Sequence, residues 1–484
     1  MGVKRNFIYS SLLTTSSYIF PLIVYPYVSR VLGVTKIGIV NFADSIVNYF
    51  ILLSMMGITV VGIREIARSK GDRHELDETF NSLICLNALF TCIALAALAA
   101  STLCIPQLYE HKELMLIGAC KLTANFMLLE WLFSGLENFR FITIRSIIVK
   151  ALYVVSVFLF VRTEADYAVY YLLTAGVVIV NAIVNIVYSR RFVSLVNSHL
   201  PIRTFLKPCL IVGVYTFLTS MYTTFNMAYL GFVASPDEVG YYATATKLFM
   251  IIIAFYTAFT NVMLPRLSEI YAKGDMDVFN GYIVKSQHFL IAVAIPIIVV
   301  GTVFAPEIVR IIAGKGYEGA NLPMQIVMPL IFVIGYSQIL VLQVLMPMKQ
   351  DRSILTNSIV GAVVGVTLNL LLVMQLKAVG SSVVWLVSEL FVMSSAQYFV
   401  TSKTTIHFPT RLLAKNFVAY VPAALGCWMI SCGIEVPPVA KLCLGSAFVG
   451  AYMLLAQLCW LRDETLMTYI KNNKTITIWN KSAK

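Results

Sequence analysis

The chain has 484 residues, of which 59% are hydrophobic and only 12% are charged. Soluble domains carry about a quarter charged residues, and they cannot bury so large an apolar fraction because surface area grows more slowly than mass. The composition therefore excludes a soluble enzyme, a disordered chain and a fibrous repeat, and it favours a polytopic membrane protein. The net charge is +12, but the basic residues lie between apolar runs, so we expect no nucleic-acid partner.

Fourteen apolar runs are long enough to cross the hydrocarbon core of a bilayer, which takes about 20 helical residues. Short polar or charged segments separate them, so we predict an all-α membrane protein with about 14 transmembrane helices. In chain order, the predicted spans are 6–31, 37–62, 79–104, 113–135, 138–161, 167–189, 207–233, 238–264, 281–304, 321–346, 353–374, 379–402, 412–433 and 439–461.

The distribution of basic residues predicts the orientation of these spans. An even number of spans puts both termini on the same side of the membrane. If that side is the cytoplasm, the inner connecting segments carry about three times as many Lys and Arg residues as the outer ones, which is the bias expected of cytoplasmic loops. We therefore predict cytoplasmic N and C termini.

Two segments six spans apart share the spacing of glycine and arginine. Gly38 precedes Arg64 by the same distance as Gly240 precedes Arg266, and a Gly-Asp pair follows each arginine. The alternative is a chance similarity between apolar segments. A parallel repeat predicts two six-helix lobes around a central cleft that opens to either side in turn. The predicted domains are an N-terminal lobe (1–200), a C-terminal lobe (201–404) and spans 13 and 14 with a cytoplasmic tail (405–484).

Polar side chains recur inside the predicted spans. Asn41, Asp44 and Asn48 share one helical face of span 2, because they lie three and seven residues apart. Lys121 and Asn125 are one turn apart in span 4. Ionisable groups in hydrocarbon are costly, so they normally face a partner or a water-filled cavity.

We expect a charged partner for some of these groups and a water-filled cavity for others. Glu130 and Arg145 lie near the inner ends of consecutive spans, so we predict that they form a structural ion pair. The remaining groups include more bases than acids, which predicts a wet cationic cavity that attracts an anion such as a phosphate or an acidic sugar. Asp44 is the candidate for ion coupling. The candidate substrate-binding residues are Arg30, Lys121, Lys150, Lys247, Asn41, Asn48, Asn125 and Asn226.

The motifs of several enzyme classes are missing from the sequence. It has no phosphate-binding loop of the nucleotide-hydrolase type, no H-E-x-x-H zinc motif and no G-x-S-x-G nucleophile motif. The nine cysteines lie mostly in apolar stretches, where they are typical core residues rather than metal ligands or disulfides. The longest outer connection, about 305–320, is too short for a catalytic platform. A passive or ion-coupled transporter is the class that fits, with no catalytic residues.

Several segments resemble one family of transporters. WLFSGLENFRFITIRSIIVKAL, from Trp131 to Leu152, resembles the signature between spans 4 and 5 of Wzx-type oligosaccharide flippases. Three further segments look like recurring stretches of the same family: Tyr27–Ile46, Met263–Asp275 and Gly314–Leu330. The resemblance implies the multidrug/oligosaccharidyl-lipid/polysaccharide exporter fold, with two six-helix lobes and two appended helices.

The resemblance also implies a function. Such proteins move undecaprenyl-diphosphate-linked oligosaccharides to the outer leaflet of the bacterial inner membrane, for O-antigen, capsule or exopolysaccharide assembly. We expect the bilayer as a partner, with a polymerase and a chain-length regulator as candidates. We expect no cofactor, and coupling to a proton or sodium gradient stays open. A drug/cation antiporter of the same fold would line its cavity with acids, and a membrane glycosyltransferase or polymerase would need an acidic catalytic site.

Overall fold

A computed structural model of the protein describes residues 3–194 and 200–457, and this part of the chain folds into helices without a strand. The predicted all-α class is confirmed. The last residues of predicted span 14 and the predicted cytoplasmic tail lie outside the described residues. The α-helices are α1 Val3–Met55, α2 Ile58–Ser69, α3 Arg73–Cys104, α4 Pro106–Glu110, α5 Lys112–Phe126, α6 Glu130–Gly135, α7 Phe139–Phe160, α8 Tyr167–Ser189, α9 Ile202–Thr223, α10 Phe225–Val233, α11 Pro236–Ala272, α12 Met276–Val303, α13 Ala305–Ile312, α14 Asn321–Val327, α15 Leu330–Gln338, α16 Asp351–Leu368, α17 Met374–Thr401, α18 Thr410–Gly433 and α19 Pro438–Leu455.

Eleven helical stretches within the described residues are long and apolar enough to cross a membrane. Two of them exceed a single crossing, because Leu12–Ser69 has 58 residues and Asp351–Thr401 has 51, against about 20 for the hydrocarbon core. The chain is therefore a multi-pass membrane protein. The number of fourteen spans and their orientation stay predictions.

Single residues break the two longest stretches. Gly33 has φ 70° and ψ 172° within α1, between predicted spans 1 and 2. The left-handed region is open to glycine because glycine lacks a Cβ atom. Lys377 has φ 50° and ψ −125° within α17, between predicted spans 11 and 12. The connections expected at these two places are kinks rather than loops.

Two predicted spans lie within stretches long enough to cross the membrane but contain a break in the helix. Span 2 (37–62) is interrupted at Gly57, whose φ of 79° ends α1 and whose position leaves no room for a Cβ atom beside the carbonyl oxygen of Cys209. Span 4 (113–135) is interrupted before α6, because Leu129 adopts a φ of 48°. Both breaks are local backbone conformations inside apolar segments, and hydropathy does not reveal them.

The chain divides into two compact units. Unit 1 comprises Met1–Thr244, Ala313–Tyr317 and Ser358–Ser388, and unit 2 comprises Ala245–Ile312, Glu318–Asn357 and Glu389–Lys484. Each unit combines segments that are far apart in the sequence. The lobes 1–200 and 201–404 that the repeat suggests stay a prediction.

Unit 1 has α1 near its middle, where it packs against α3, α5 and α7. One apolar cluster of this unit includes Leu83, Trp131 and Phe133, each at most 2% exposed. The indole of Trp131 lies against Gly62, where a Cβ atom would come within 2.7 Å of the ring. This close packing fixes α2 against α6, and α7 and α8 pack against each other nearby.

Unit 2 is organised around α12, which packs against α18, α15 and α19. One cluster joins Ile291 of α12 to Tyr420 and Ala423 of α18. A second cluster joins Phe304 and Cys427 to Val449 of α19. The helices predicted to be appended to the repeat, α18 and α19, are thus part of the packed core of this unit.

Candidate functional site

Asp44 and Lys121 form an ion pair between α1 and α5. The Lys121 ammonium lies 2.6 Å from Asp44 Oδ1 and donates a second hydrogen bond of 3.1 Å to Asn48 Oδ1. Asn48 Nδ2 donates to Asp44 Oδ2 at 3.1 Å, since the two residues are one helical turn apart. The Lys121 side chain is 13% exposed and that of Asp44 is 35% exposed. The acid of this pair therefore remains accessible while its charge is balanced.

Glu130 and Arg145 form a second ion pair, with Arg145 Nη2 2.9 Å from Glu130 Oε1. The Arg145 side chain is only 4% exposed, whereas Glu130 is 47% exposed. Arg145 Nη1 also donates to the side-chain oxygen of Asn185 on α8, and Asn185 Nδ2 donates to the carbonyl of Leu128. A buried guanidinium thus ties α7 to α6 and α8.

Lys150 of α7 has a different kind of environment. Its half-buried ammonium donates to two hydroxyls of α1, at 2.9 Å from Ser17 Oγ and 3.2 Å from Ser16 Oγ. Both serines in turn donate to the carbonyl of Leu13. Within the described part of the chain, no carboxylate is bonded to Lys150. Its ammonium is therefore bonded to neutral oxygens, whereas Lys121 and Arg145 are each bonded to a carboxylate.

The other three candidate asparagines have different surroundings in unit 1. Asn41 donates to the carbonyl of Ile37 in its own helix at 2.7 Å. Asn125 is half-buried one turn beyond Lys121. Asn226 is completely buried, and its oxygen accepts a 2.6 Å hydrogen bond from Asn369. Asn226 thus belongs to an interior amide network, and its role in substrate binding stays a prediction.

The other two candidate cations lie in different units. Arg30 is exposed on α1, where its guanidinium donates to the carbonyl of Pro26 and its side chain lies beside Gly314. Lys247 is half-buried on α11 and belongs to unit 2. The structure thus brings Asp44, Asn48 and Lys121 into one cluster and leaves Lys247 in the other unit.

Sequence reasoning missed the groups that hold these cations. Ser16, Ser17 and Asn185 are the bonded partners of Lys150 and Arg145, and none was a candidate. Asn185 had a detectable signal, because Asn181 and Asn185 are one turn apart inside an apolar span. The serines had none, because hydroxyls are common in membrane helices.

The sequence profile of the family described as polysaccharide biosynthesis protein matches residues 3–271, which is more than half of the chain. The chain belongs to this family. A protein of Escherichia coli K12 named "Putative O-antigen transporter" is 25% identical over 405 residues, which cover 83% of this chain and 97% of that relative. The resemblance noted in the sequence is thereby confirmed.

Two solved structures share the fold. The lipid II flippase MurJ in an inward closed conformation has a TM-score of 0.72 at 14% identity and covers 94% of this chain and 99% of its own. An inward-facing multidrug resistance MATE family transporter of the MOP superfamily has a TM-score of 0.61 at 15% identity and covers 78% of this chain and 91% of its own. The relative and both neighbours carry the names of transporters or flippases, so the expectation of a transporter rather than an enzyme is confirmed.

Proposed function

We propose that this protein flips undecaprenyl-diphosphate-linked oligosaccharide repeat units across the bacterial inner membrane, by alternating access, for the assembly of a surface polysaccharide. The family supports a role in polysaccharide synthesis, and the relative's name supports transport of an O-antigen. The fold shared with a lipid II flippase supports a lipid-linked cargo.

The bonded partners of Lys150 are the observation that carries the proposal. Lys121 and Arg145 each have a bonded carboxylate, whereas Lys150 has two neutral hydroxyls. A cation in a medium of low dielectric attracts an anion strongly when no acid cancels its charge. A diphosphate linked to a lipid would supply that anion. Arg30 and Lys247 stay candidates for further contacts with the same cargo.

The Asp44–Lys121 pair supplies a means of coupling transport to an ion gradient. While Asp44 is ionised, it binds the Lys121 ammonium at 2.6 Å. A proton or a sodium ion taken up by the accessible carboxylate would weaken this bond and release the ammonium. Lys121 would then carry an unbalanced charge beside Asn48 and become a second site for the diphosphate. Coupling at Asp44 thus changes the affinity for an anionic cargo.

The two alternative functions, a drug antiporter and a glycosyltransferase or polymerase, need features that Asp44 and Glu130 lack. An antiporter of cationic drugs requires free carboxylates, whereas Asp44 and Glu130 are both bonded to cations. A glycosyltransferase or polymerase requires an acid that is free to act as a catalyst, whereas the accessible acids Asp44 and Glu130 are held in ion pairs. Purified protein that extends a lipid-linked glycan in vesicles would favour that alternative over transport.

The test removes the charge of Lys150 in a strain whose glycan export depends on this protein. We expect Lys150→Gln to lower export about tenfold, since hydrogen bonds to charged groups contribute about 1.5–3 kcal/mol, and Lys150→Arg to retain most of it. Lys112→Gln is the matched control, because Lys112 is exposed at the start of α5. Equal export by Lys150→Gln and wild type, at equal protein levels in the membrane, would contradict the proposal.

A further inference from the structure

A groove of about 650 Å³ runs along the surface of unit 1 between α7 and α8. One end of the groove is polar, with Arg140, Arg145 and Asn138, and the rest of its length is apolar. Ile148 and Leu152 on α7 are 55% and 60% exposed. Such a groove offers a charged end and an apolar trough on the same helix pair.

The walls of the groove run antiparallel and are fixed near the polar end. The rings of Phe141 and Tyr188 stack there with centroids 3.8 Å apart. One turn further along, Arg145 is bonded to Asn185. These contacts join α7 to α8, so the groove does not depend on a mobile side chain for its shape.

The polar end of the groove carries excess positive charge. Arg140 is exposed, and no described carboxylate lies within ion-pair distance of it. The Arg191 guanidinium lies 5.3 Å from the Tyr188 ring centroid at the same end. Arg145 is bonded to Glu130, and its Nε is buried without a described hydrogen-bond partner. Nearby Glu137 is bonded to Lys70 at 3.4 Å. Arg140 and Arg191 thus add positive charge at this end, and neither has an ion-pair partner among the described carboxylates.

The length of the groove matches a single leaflet. From Arg140 to Leu152, α7 rises about 18 Å at 1.5 Å per residue. Half of a hydrocarbon core of about 30 Å is about 15 Å. A lipid of one leaflet therefore fits the trough with its headgroup at the arginines, whereas a much longer isoprenoid chain would extend beyond it.

We propose that the α7–α8 groove binds an anionic phospholipid, with its phosphate at Arg140 and an acyl chain along Ile148 and Leu152. Basic pockets between membrane helices on the cytoplasmic side bind anionic headgroups, and the basic residues predict that this end of α7 faces the cytoplasm. The occupant is a lipid of the surrounding bilayer, so the proposal is independent of the transported cargo.

The test measures which lipids stay bound to the full-length protein after extraction from bilayers with equal amounts of phosphatidylglycerol and phosphatidylcholine. Native mass spectrometry counts the lipids retained. We expect phosphatidylglycerol to be preferred, and Arg140→Gln to lower that preference about fivefold, the effect of one basic residue near an anionic surface. Arg162→Gln is the matched control, because Arg162 is exposed just past the opposite end of α7.

A second variant tests the apolar part of the groove without changing its charge. Ile148→Trp fills the apolar trough and leaves every arginine in place, so we expect it to lower phosphatidylglycerol retention as well. Equal retention in wild type, Arg140→Gln and Ile148→Trp would overturn the proposal. Displacement of phosphatidylglycerol by an equal amount of an isoprenoid phosphate would assign the groove to the carrier lipid instead. Displacement by inorganic phosphate would reduce it to a phosphate site without a lipid chain.

Discussion

The Glu130–Arg145 and Asp44–Lys121 ion pairs of unit 1 both leave the acid more exposed than the cation, with Glu130 at 47% and Asp44 at 35%, and they differ in how far the cation is buried. In the Glu130–Arg145 pair, the cation is 4% exposed and is also held by Asn185. In the Asp44–Lys121 pair, the acid is 35% exposed and the cation is 13% exposed. A deeply buried cation that loses its acid is left as an uncompensated charge, which is strongly destabilising, whereas the less buried Lys121 ammonium is closer to water. The first pair therefore suits a structural brace, and the second suits a switch.

The largest effect on stability is expected from Glu130→Gln. This change leaves the buried Arg145 guanidinium without its acid, so we expect a loss of about 3 kcal/mol in the free energy of unfolding. Denaturant titration of the purified protein in detergent measures it. Glu137→Gln is the control, since the Lys70–Glu137 pair is exposed and such pairs contribute at most about 1 kcal/mol. Similar losses in both variants would show that Glu130–Arg145 is no brace.

A smaller loss is expected from Asn185→Leu. The substitution removes an acceptor from Arg145 and a donor from the carbonyl of Leu128, and each buried group left unpaired costs about 1–3 kcal/mol. We expect a loss of about 2 kcal/mol in the same titration. Combining Asn185→Leu with Glu130→Gln should give a non-additive loss, because both changes act on one guanidinium. Simple additivity would separate Asn185 from the brace.

The smallest effect on stability is expected at the Asp44–Lys121 pair. Because Lys121 is less buried than Arg145 and keeps a hydrogen bond to Asn48, a double-mutant cycle with Asp44→Asn and Lys121→Gln should give a coupling of about 1 kcal/mol or less in unfolding. The effect on transport should be large. Asp44→Asn should remove the dependence of glycan transport in proteoliposomes on an imposed ion gradient. A dependence that persists in this variant would exclude Asp44 from coupling.

Hydropathy is enough to predict individual helices where apolar runs end at charged residues. The predicted spans 138–161 and 167–189 differ by no more than one residue at either end from α7 and α8. It fails where the backbone turns inside an apolar run, as at Gly57 and Leu129. Those conformations depend on the helices packed against them, and a sequence window does not contain that information.

The bonded partners of the embedded charges are likewise only partly predictable from sequence. Glu130 and Arg145 can be matched from sequence, because both lie near the inner ends of consecutive spans. Lys121 and Asp44 are 77 residues apart, and they meet because α5 packs against α1. The hydroxyls that hold Lys150 are more than 130 residues away in the chain. The polar residues themselves are visible in the sequence, but their pairing follows from the arrangement of the helices.

The hydroxyl pair that holds Lys150 has a consequence for how such a protein diversifies. Ser16 and Ser17 are uncharged, and their hydrogen bonds to Leu13 stay within α1. Exchanging one of them for threonine, alanine or asparagine would shift the Lys150 ammonium slightly. It would not leave a buried charge without a partner. If Lys150 binds an anionic cargo as proposed, substitutions at these two positions can adjust the placement of its ammonium while the contacts around Arg145 stay unchanged.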